Sequence, residues 1–456
     1  MAAPNTIDHH FEVIINHDRV TFRVQPGGTL RGEARVPGDK SISHRSIMLG
    51  SLAEGTTRVS GFLEAEDCLS TMKAFQAMGV AIEGPVEGHV TIQGVGLRGL
   101  KAPEHELYLG NSGTSMRLLS GLLAGQAFDT VLTGDESLSR RPMKRVTDPL
   151  RSMGAMIDTT EQGTAPLRIH GGSALRGIHY DMPVASAQVK SCLLLAGLYA
   201  EGGTSVREPA PTRDHTERML MGFGYPVARD GQLVSIESGG KLTACDIDVP
   251  SDISSAAFFM VGAAIAEGAD VLLRHVGINP TRTGVIDILK LMGADIEIRN
   301  PRKAGGEPVA DLRIRSSRLK GIEIPEALVP LAIDEFPVLF VAAACADGET
   351  RLTGAEELRV KESDRIQVMA DGLRALGVDA TPTPDGMVVR GGPMTGGDVE
   401  SRGDHRIAMA FSIAGLRAKG PITIRDCANV NTSFPTFVEL ARRLGLVVES
   451  RREASS

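Results

Sequence analysis

Tryptophan is absent from this 456-residue chain, tyrosine occurs four times, and aromatic residues make up only 4% of it. Its interiors must therefore be built from aliphatic and small side chains, as 52 glycines and a hydrophobic content of 42% also indicate. The five cysteines, Cys68, Cys192, Cys245, Cys345 and Cys427, are scattered and form no C-x-x-C pair. That pattern argues against a structural zinc site and suits a reducing cytoplasm. No basic block is present, and the net charge is −7, which gives nucleic acid little to hold. The longest uncharged run, Ile253–Ala266, has 14 residues, short of the ~20 a membrane helix needs. The opening stretch, "MAAPNTIDHHFEVIINHDRV", carries acids and no long apolar core, so no signal peptide is expected. The length predicts two or three domains.

What the chain does have is a sixfold rhythm. An amphipathic helical segment, a glycine and a strand-like run recur as "MKAFQAMGVAIE", "VTDPLRSMGAMID", "TERMLMGFGYPVA", "VIDILKLMGADIEI", "MADGLRALGVDAT" and "VELARRLGLVVES". The glycines are Gly79, Gly154, Gly224, Gly293, Gly377 and Gly445, each placed where a residue with positive φ would end a helix. A second set of six helices keeps the same beat but is apolar nearly all round and rich in alanine and glycine. These should be buried and closely packed, with the amphipathic set outside them. One unit of roughly 70 residues cannot cover its own apolar helix, so units must cluster; three units twice over gives two domains within the usual size range.

Polar residues collect at the starts of the apolar helices: "DKSISHR" (39–45), "GNSGTSMR" (110–117), "ASAQVKS" (185–191), "PSDISS" (250–255), "AIDEFP" (332–337) and "GDHRIAM" (403–409). Ordinary capping explains the Ser, Asp and Asn. It does not explain Lys40, Arg45, Arg117, Lys190 and Arg406. If these helices point the same way, their positive ends face one interdomain cleft, a site for a substrate carrying several negative charges. Three more segments are charged: "SRRPMKRV" (139–146), "TRDHTE" (212–217) and "ELRVKESDRI" (357–366), whose Lys361 and Arg365 are spaced by four, as on one helical face. Taken singly, each reads more readily as a solvated turn or an ion-paired helix face than as a site.

Nine motifs together resemble the 5-enolpyruvylshikimate-3-phosphate (EPSP) synthase family of enolpyruvyl transferases. "GDKSISHR", "GNSGTSMR", "SRRPM", "ASAQVKS", "TRDHTE", "NPTRTG" (279–284), "DEFP", "RVKESDR" and "DHRIAM" follow the family's order between about residues 27 and 447. "TRDHTE" and "NPTRTG" are closer to its class II branch. The resemblance implies an α/β protein of two domains, each of three βαβαββ units around buried parallel helices (an inside-out α/β barrel), with the active site in the cleft between them. Residues 38–249 would form one domain, and 1–37 with 250–456 the other, with crossovers near Pro37 and Pro250. The implied reaction moves the enolpyruvyl group of phosphoenolpyruvate to the 5-hydroxyl of shikimate 3-phosphate and releases phosphate, without a metal or cofactor. A cytoplasmic monomer with no nucleic-acid or membrane partner is expected.

Carried over by position, Lys40, Ser41, Arg45, Ser186, Ala187, Gln188, Arg213, Asp334 and Lys361 would bind shikimate 3-phosphate. Lys40, Gly113, Arg141, Gln188, Arg365 and Arg406 would surround phosphoenolpyruvate. Asp334 would take the 5-hydroxyl proton with help from Lys361, and Glu362 would protonate the methylene carbon, so that Lys40, Asp334 and Glu362 form the catalytic set. The family's inhibitor glyphosate would occupy the phosphoenolpyruvate pocket beside Gly113, where class II relatives often carry alanine. One position departs from the pattern: some members have a lysine shortly before the C-terminal "FP", and here "NTSFP" (431–435) has Thr432. Two rivals share parts of this reading. One is the related transferase acting on UDP-N-acetylglucosamine, whose usual catalytic cysteine has no convincing counterpart here. The other is a non-catalytic phosphometabolite-binding protein.

Overall fold

The computed structural model describes residues 19–453, so most of the opening stretch read against a signal peptide lies outside the described residues. Helices follow the predicted pairs. The first half has α1 (Lys40–Leu52), α2 (Glu66–Ala77), α3 (Gly113–Ala124), the short α4 (Glu136–Ser139), α5 (Lys144–Ser152), α6 (Ala187–Gly197) and α7 (His215–Gly222). The second half has α8 (Ile253–Ile265), α9 (Gly284–Leu291), α10 (Phe336–Ala344), α11 (Arg365–Ala375), α12 (His405–Ala414) and α13 (Phe437–Leu444).

The apolar set lies inside, as expected. Every residue of α8, α10 and α12 is buried. Small residues let these helices approach closely: a Cβ on Gly121 of α3 would sit 2.0 Å from the Cys192 carbonyl oxygen of α6. The amphipathic set lies outside. In α13, burial falls on Phe437, Leu440, Ala441 and Leu444, the i, i+3, i+4, i+7 pattern of one helical face. The glycine after each outer helix has φ between 80° and 125°, a conformation that strains any residue with a Cβ.

Six small sheets surround the inner helices, and they share one topology. The strand before an inner helix lies parallel to the strand after it, and the hairpin that follows the outer helix adds two antiparallel strands. In the second unit, for example, Leu107–Tyr108 pairs parallel with Thr130–Thr133, which pairs antiparallel with Leu167–His170, and Met156–Asp158 closes the edge. Three units borrow a strand from elsewhere in the chain. Ile247–Asp248 joins the first unit beside Glu54–Ser60, and Arg31–Ala34 joins the fourth beside Asp270–Gly277. Arg19–Val24 sits in the sixth, between Ile422–Arg425 and Val448–Glu453. In the fifth unit the first strand is reduced to the parallel bridges Lys320–Asp347 and Glu323–Arg351.

Buried apolar residues form two clusters. One runs from Ile42 to Val249; the other combines Phe22–Val36 with residues from Ile253 to Val448. The chain passes between them twice, and the two crossings pair with each other. Asp39 N donates to Pro250 O at 2.8 Å and Asp252 N donates to Pro37 O at 2.9 Å.

Candidate active site

The N-termini of α1, α3, α6 and α12, with the turns leading into α10 and α11, converge on one cavity between the two clusters. It is lined by Lys40, Ser41 and Arg45 from α1 and by Gly113, Thr114 and Arg117 from α3. Ala187 and Gln188 of α6, Arg406 of α12 and Asp67 of α2 join them, together with Arg141, Arg213, Asp334, Val360, Lys361 and Glu362. The predicted focusing of helix ends is therefore present, except that the start of α8 lies below, at the crossovers. Lys190 points elsewhere: it is fully buried in the first half, 2.6 Å from Glu208 and 2.9 Å from Glu217.

Side chains from both halves meet across the cavity. Arg213 Nη2 lies 2.5 Å from Asp334 Oδ2, and Arg141 Nη1 lies 3.7 Å from Glu362 Oε1. Outside the cavity, Arg145 pairs with Glu357 at 3.1 Å. These contacts draw the cavity down to about 90 Å³, well below the roughly 300–1,000 Å³ of sites that enclose small molecules. A wider vestibule of about 1200 Å³ shares Arg141, Lys361 and Glu362 with it and opens to solvent. Loading two substrates therefore requires the halves to part.

Arg365 does not line the cavity. It is 1% exposed behind the wall, where its guanidinium is shared by Asp404 at 2.8 Å, Glu362 at 2.7 Å and Asp334 at 3.3 Å. Nor do Lys361 and Arg365 share a helical face. Glu356–Val360 is a 3₁₀ turn, Lys361 is extended, and Asp364 caps a new helix by accepting from Gln367 N at 3.0 Å. Ser186 also stands outside the wall, capping α6 through Val189 N. Thr432, in place of the lysine, donates its hydroxyl to the Asn429 carbonyl at 2.7 Å and leaves no cation there.

Several residues in or behind the wall have no assigned role in the sequence reading. Asp67 holds the Lys40 ammonium at 3.0 Å. Arg117, noted only as a cation at a helix start, donates to Gln188 Oε1 at 2.6 Å, which turns the amide nitrogen toward Thr114 Oγ1 at 3.0 Å. Asn111 accepts from Arg141 at 2.6 Å. His405 is buried next to Arg406, and neither ring nitrogen has a hydrogen-bond partner among the described residues. Only proximity in the fold marks these groups; "GNSGTSMR" and "DHRIAM" already contained three of them.

Burial works against every charge in the cavity, and the neighbours decide the outcome. It pushes Asp334 up, but Arg213, Arg406, Lys361 and Arg365 together hold its carboxyl well below the usual range. Glu362 is likewise pushed up by burial and held well below by Arg365, Arg141, His405 and Lys40. For Lys40, burial lowers the ammonium and the Asp67 carboxylate reverses it, leaving a raised pKa. Lys361 stays lowered by burial despite Asp334 and Glu357. Burial brings Arg45 and Arg117 down to about 10, so both remain cationic at neutral pH.

Seven cations line the cavity (Lys40, Arg45, Arg117, Arg141, Arg213, Lys361 and Arg406) against three carboxylates (Asp67, Asp334 and Glu362), a surplus of four. A family model described as EPSP synthase (3-phosphoshikimate 1-carboxyvinyltransferase) matches residues 24–440. The chain belongs to the EPSP synthase family. The 3-phosphoshikimate 1-carboxyvinyltransferase of Methylococcus capsulatus is 77% identical over 434 residues, covering 95% of this chain and 99% of the relative. That of Alkalilimnicola ehrlichii is 71% identical over 428 residues, 94% and 96% of the two chains. The solved EPSP synthase of Acinetobacter baumannii superposes with a TM-score of 0.85 at 64% identity, over 95% of this chain and all of its own. An enolpyruvyl transferase of Streptomyces tendae shares the fold, with a TM-score of 0.77 at 17% identity over 96% of this chain and 100% of that one. Among the described residues no helix is long and apolar enough to cross a membrane.

Proposed function

We propose that the cleft carries out the EPSP synthase reaction with Lys40, Asp334 and Glu362 as its catalytic groups. As a member of this family the protein is a 3-phosphoshikimate 1-carboxyvinyltransferase of the shikimate pathway. Its two substrates bring two phosphate groups and two carboxylates, about five to six negative charges in all. The surplus of four cations on the cavity wall offsets most of that load, and this complementarity is the observation that carries the assignment.

In the proposed assignment, Lys40, Ser41, Arg45, Ser186, Ala187, Gln188, Arg213 and Lys361 bind shikimate 3-phosphate. Arg141 and Arg406 grip phosphoenolpyruvate next to Gly113, with Lys40 and Gln188 reaching both substrates. Arg365 supports that pocket from behind by aligning Glu362 and Asp334. The 5-hydroxyl oxygen adds to C2 of phosphoenolpyruvate, its proton passes to Asp334, and C3 takes a proton from Glu362. The resulting tetrahedral intermediate returns the C3 proton to Glu362 as the C–O bond to phosphate breaks, leaving the enolpyruvyl ether and inorganic phosphate. Lys40 faces the phosphate and offsets the negative charge it takes on as the C–O bond breaks.

Electrostatics supplies an order to these events. With the cations unneutralised, both carboxylates are held ionised, so Glu362 has no proton to give. Anionic substrates neutralise Arg141, Arg213 and Arg406, which raises both carboxyls and lets Glu362 act as an acid once the site is loaded. We assign residues 38–249 to one domain and 1–37 with 250–456 to the other. A single chain supplies every group of this site, which supports a monomer, and the unpaired cysteines support a cytoplasmic setting.

The test is phosphate release from phosphoenolpyruvate with shikimate 3-phosphate or a UDP-sugar as acceptor. Turnover with the first alone is expected; turnover with the second would reverse the choice of acceptor. No cysteine lines the cavity, and Cys68, behind it, has its thiol pushed well up by burial and by Asp67. That disfavours the cysteine-dependent relative.

A further inference from the structure

The motif "NPTRTG" contributes nothing to the cavity wall. Its Arg282 lies beneath the cleft, 2% exposed, where the two crossovers meet. Nη1 donates to Asp39 Oδ2 at 2.8 Å, and Nη2 donates to Asp252 Oδ1 at 3.0 Å and Ser254 Oγ at 2.8 Å. Nη1 also lies 3.2 Å from His215 Nε2. A guanidinium only donates, so this ring nitrogen accepts and the imidazole proton sits on Nδ1, 2.8 Å from Glu307.

Each of these partners is one or two steps from a group assigned to catalysis. Asp39 caps α1 and precedes Lys40, while Asp252 caps α8 and takes the backbone N–H of Lys40 on its second oxygen at 3.0 Å. Ser254 donates its hydroxyl to Glu335 Oε1 at 3.0 Å, next to Asp334. His215 follows Arg213 by two residues, and Arg213 pairs with Asp334. Capping does not require the charge on either aspartate, since asparagine and serine cap as well. Two buried carboxylates around one buried guanidinium instead form a clamp, with one jaw on the first inner helix of each half.

We propose that Arg282 is a positioning residue: by clamping the N-caps of α1 and α8 across the crossovers, it holds Lys40 and Asp334 at the spacing the addition step needs. The inference rests on the roles given above to Lys40 and Asp334.

Two variants test it. Arg282→Lys keeps the charge but cannot reach both aspartates with parallel donors. Arg282→Met combined with Asp39→Asn and Asp252→Asn keeps both caps and removes the buried charges, which provides a folded protein even if the lysine variant is unstable. Turnover is normalised to active sites counted in a single-turnover experiment, shikimate 3-phosphate affinity is measured by calorimetry, and Tm is recorded. The expected result is roughly a 10–100-fold loss of turnover per active site with affinity held within about threefold, since misplacement by an ångström acts on the reacting geometry. A residue serving only stability would lower Tm and the active fraction but leave turnover per site alone. Per-site turnover within about threefold of the parent in either folded variant overturns the proposal, on the same scale of misplacement effects. Lys40→Met and Asp334→Asn, run alongside, separate the two readings. If those two keep their turnover, the site assignment fails; if only the Arg282 variants keep it, the clamp fails.

Discussion

Gly113 offers a test in which one methyl group decides between two ligands. It opens α3 at the cavity wall, and a Cβ built there meets Arg141 Nη1 at 3.0 Å, with Arg117 Nη1 at 3.8 Å and Leu138 Cδ1 at 4.0 Å. Arg141 must give way by a few tenths of an ångström. It is 7% exposed, donates to Asn111 at 2.6 Å and faces Glu362 at 3.7 Å, so it can yield only toward the cleft. That is where phosphoenolpyruvate or glyphosate would lie. The shorter substrate can shift with the guanidinium, whereas the longer inhibitor, fixed at both ends, cannot. Differences of this size in a pocket are worth ~1–3 kcal/mol, or roughly 10–200-fold in discrimination. Gly113→Ala should therefore raise the glyphosate inhibition constant at least about tenfold and the KM for phosphoenolpyruvate only a few-fold. The assay is steady-state phosphate release at saturating shikimate 3-phosphate, with phosphoenolpyruvate varied against glyphosate for both forms. Equal increases in the two constants, or a parent enzyme that glyphosate does not inhibit competitively, would refute the reasoning.

Other expectations follow from the same geometry. Asp334→Asn and Glu362→Gln should each lower turnover by roughly 10²–10⁴-fold, the usual worth of a positioned proton-transfer group, and calorimetry should find shikimate 3-phosphate binding better preserved in Glu362→Gln. Both carboxyls are held below their ordinary values of 3.8 and 4.5, so the unfolded chain binds more protons in acid. Their stabilisation is complete above those values and is lost as pH falls through the folded pKa. Urea midpoints should drop below about pH 4.5 in the parent and less steeply in Asp334→Asn; identical slopes would show that this carboxyl is not the source. Lys190→Met leaves Glu208 and Glu217 with half-exposed Arg229 as their remaining cation, besides the Thr212 hydroxyl on Glu208, and should cost ~3–5 kcal/mol in urea denaturation. Since loading requires the halves to part, the free protein should populate an opened form. Adding shikimate 3-phosphate with glyphosate should then shrink the radius of gyration in small-angle scattering toward the closed arrangement described above; an unchanged radius counts against closure.

The architecture could be read from the sequence because burial leaves a periodic trace. Inner helices are apolar all round, outer ones on one face, and a glycine with positive φ ends each outer helix, so the six units were visible in a single chain. The wall of the site was visible only as residue types at helix starts. Pairing was not. Nothing in the spacing of Lys190 distinguishes it from Lys40, yet one faces Glu208 inside the first half and the other faces Asp67 at the cavity. The resemblance places Arg365 by position against phosphoenolpyruvate, while Glu362 from the preceding turn and Asp334 and Asp404 from distant segments already surround it. The helical face expected for Lys361 and Arg365 failed because Asp364 is a good cap, a local preference that outweighs a four-residue spacing.

The sheet that holds Arg19–Val24 between Ile422–Arg425 and Val448–Glu453 has a consequence for how the protein is made. Both neighbours of that strand are translated some four hundred residues after it. At about 5–20 residues per second on the ribosome, the strand waits roughly 20–80 s with its edges open. The segment that follows, Arg31–Ala34, waits for Asp270–Gly277 in the same way, whereas every strand of the second and third units meets its partners within its own unit. Synthesis therefore delivers the half holding Lys40 and Arg141 in finished form while the half holding Asp334 and Arg406 is still an open sheet. The risk of misassembly during biosynthesis is concentrated in two short strands near the N-terminus.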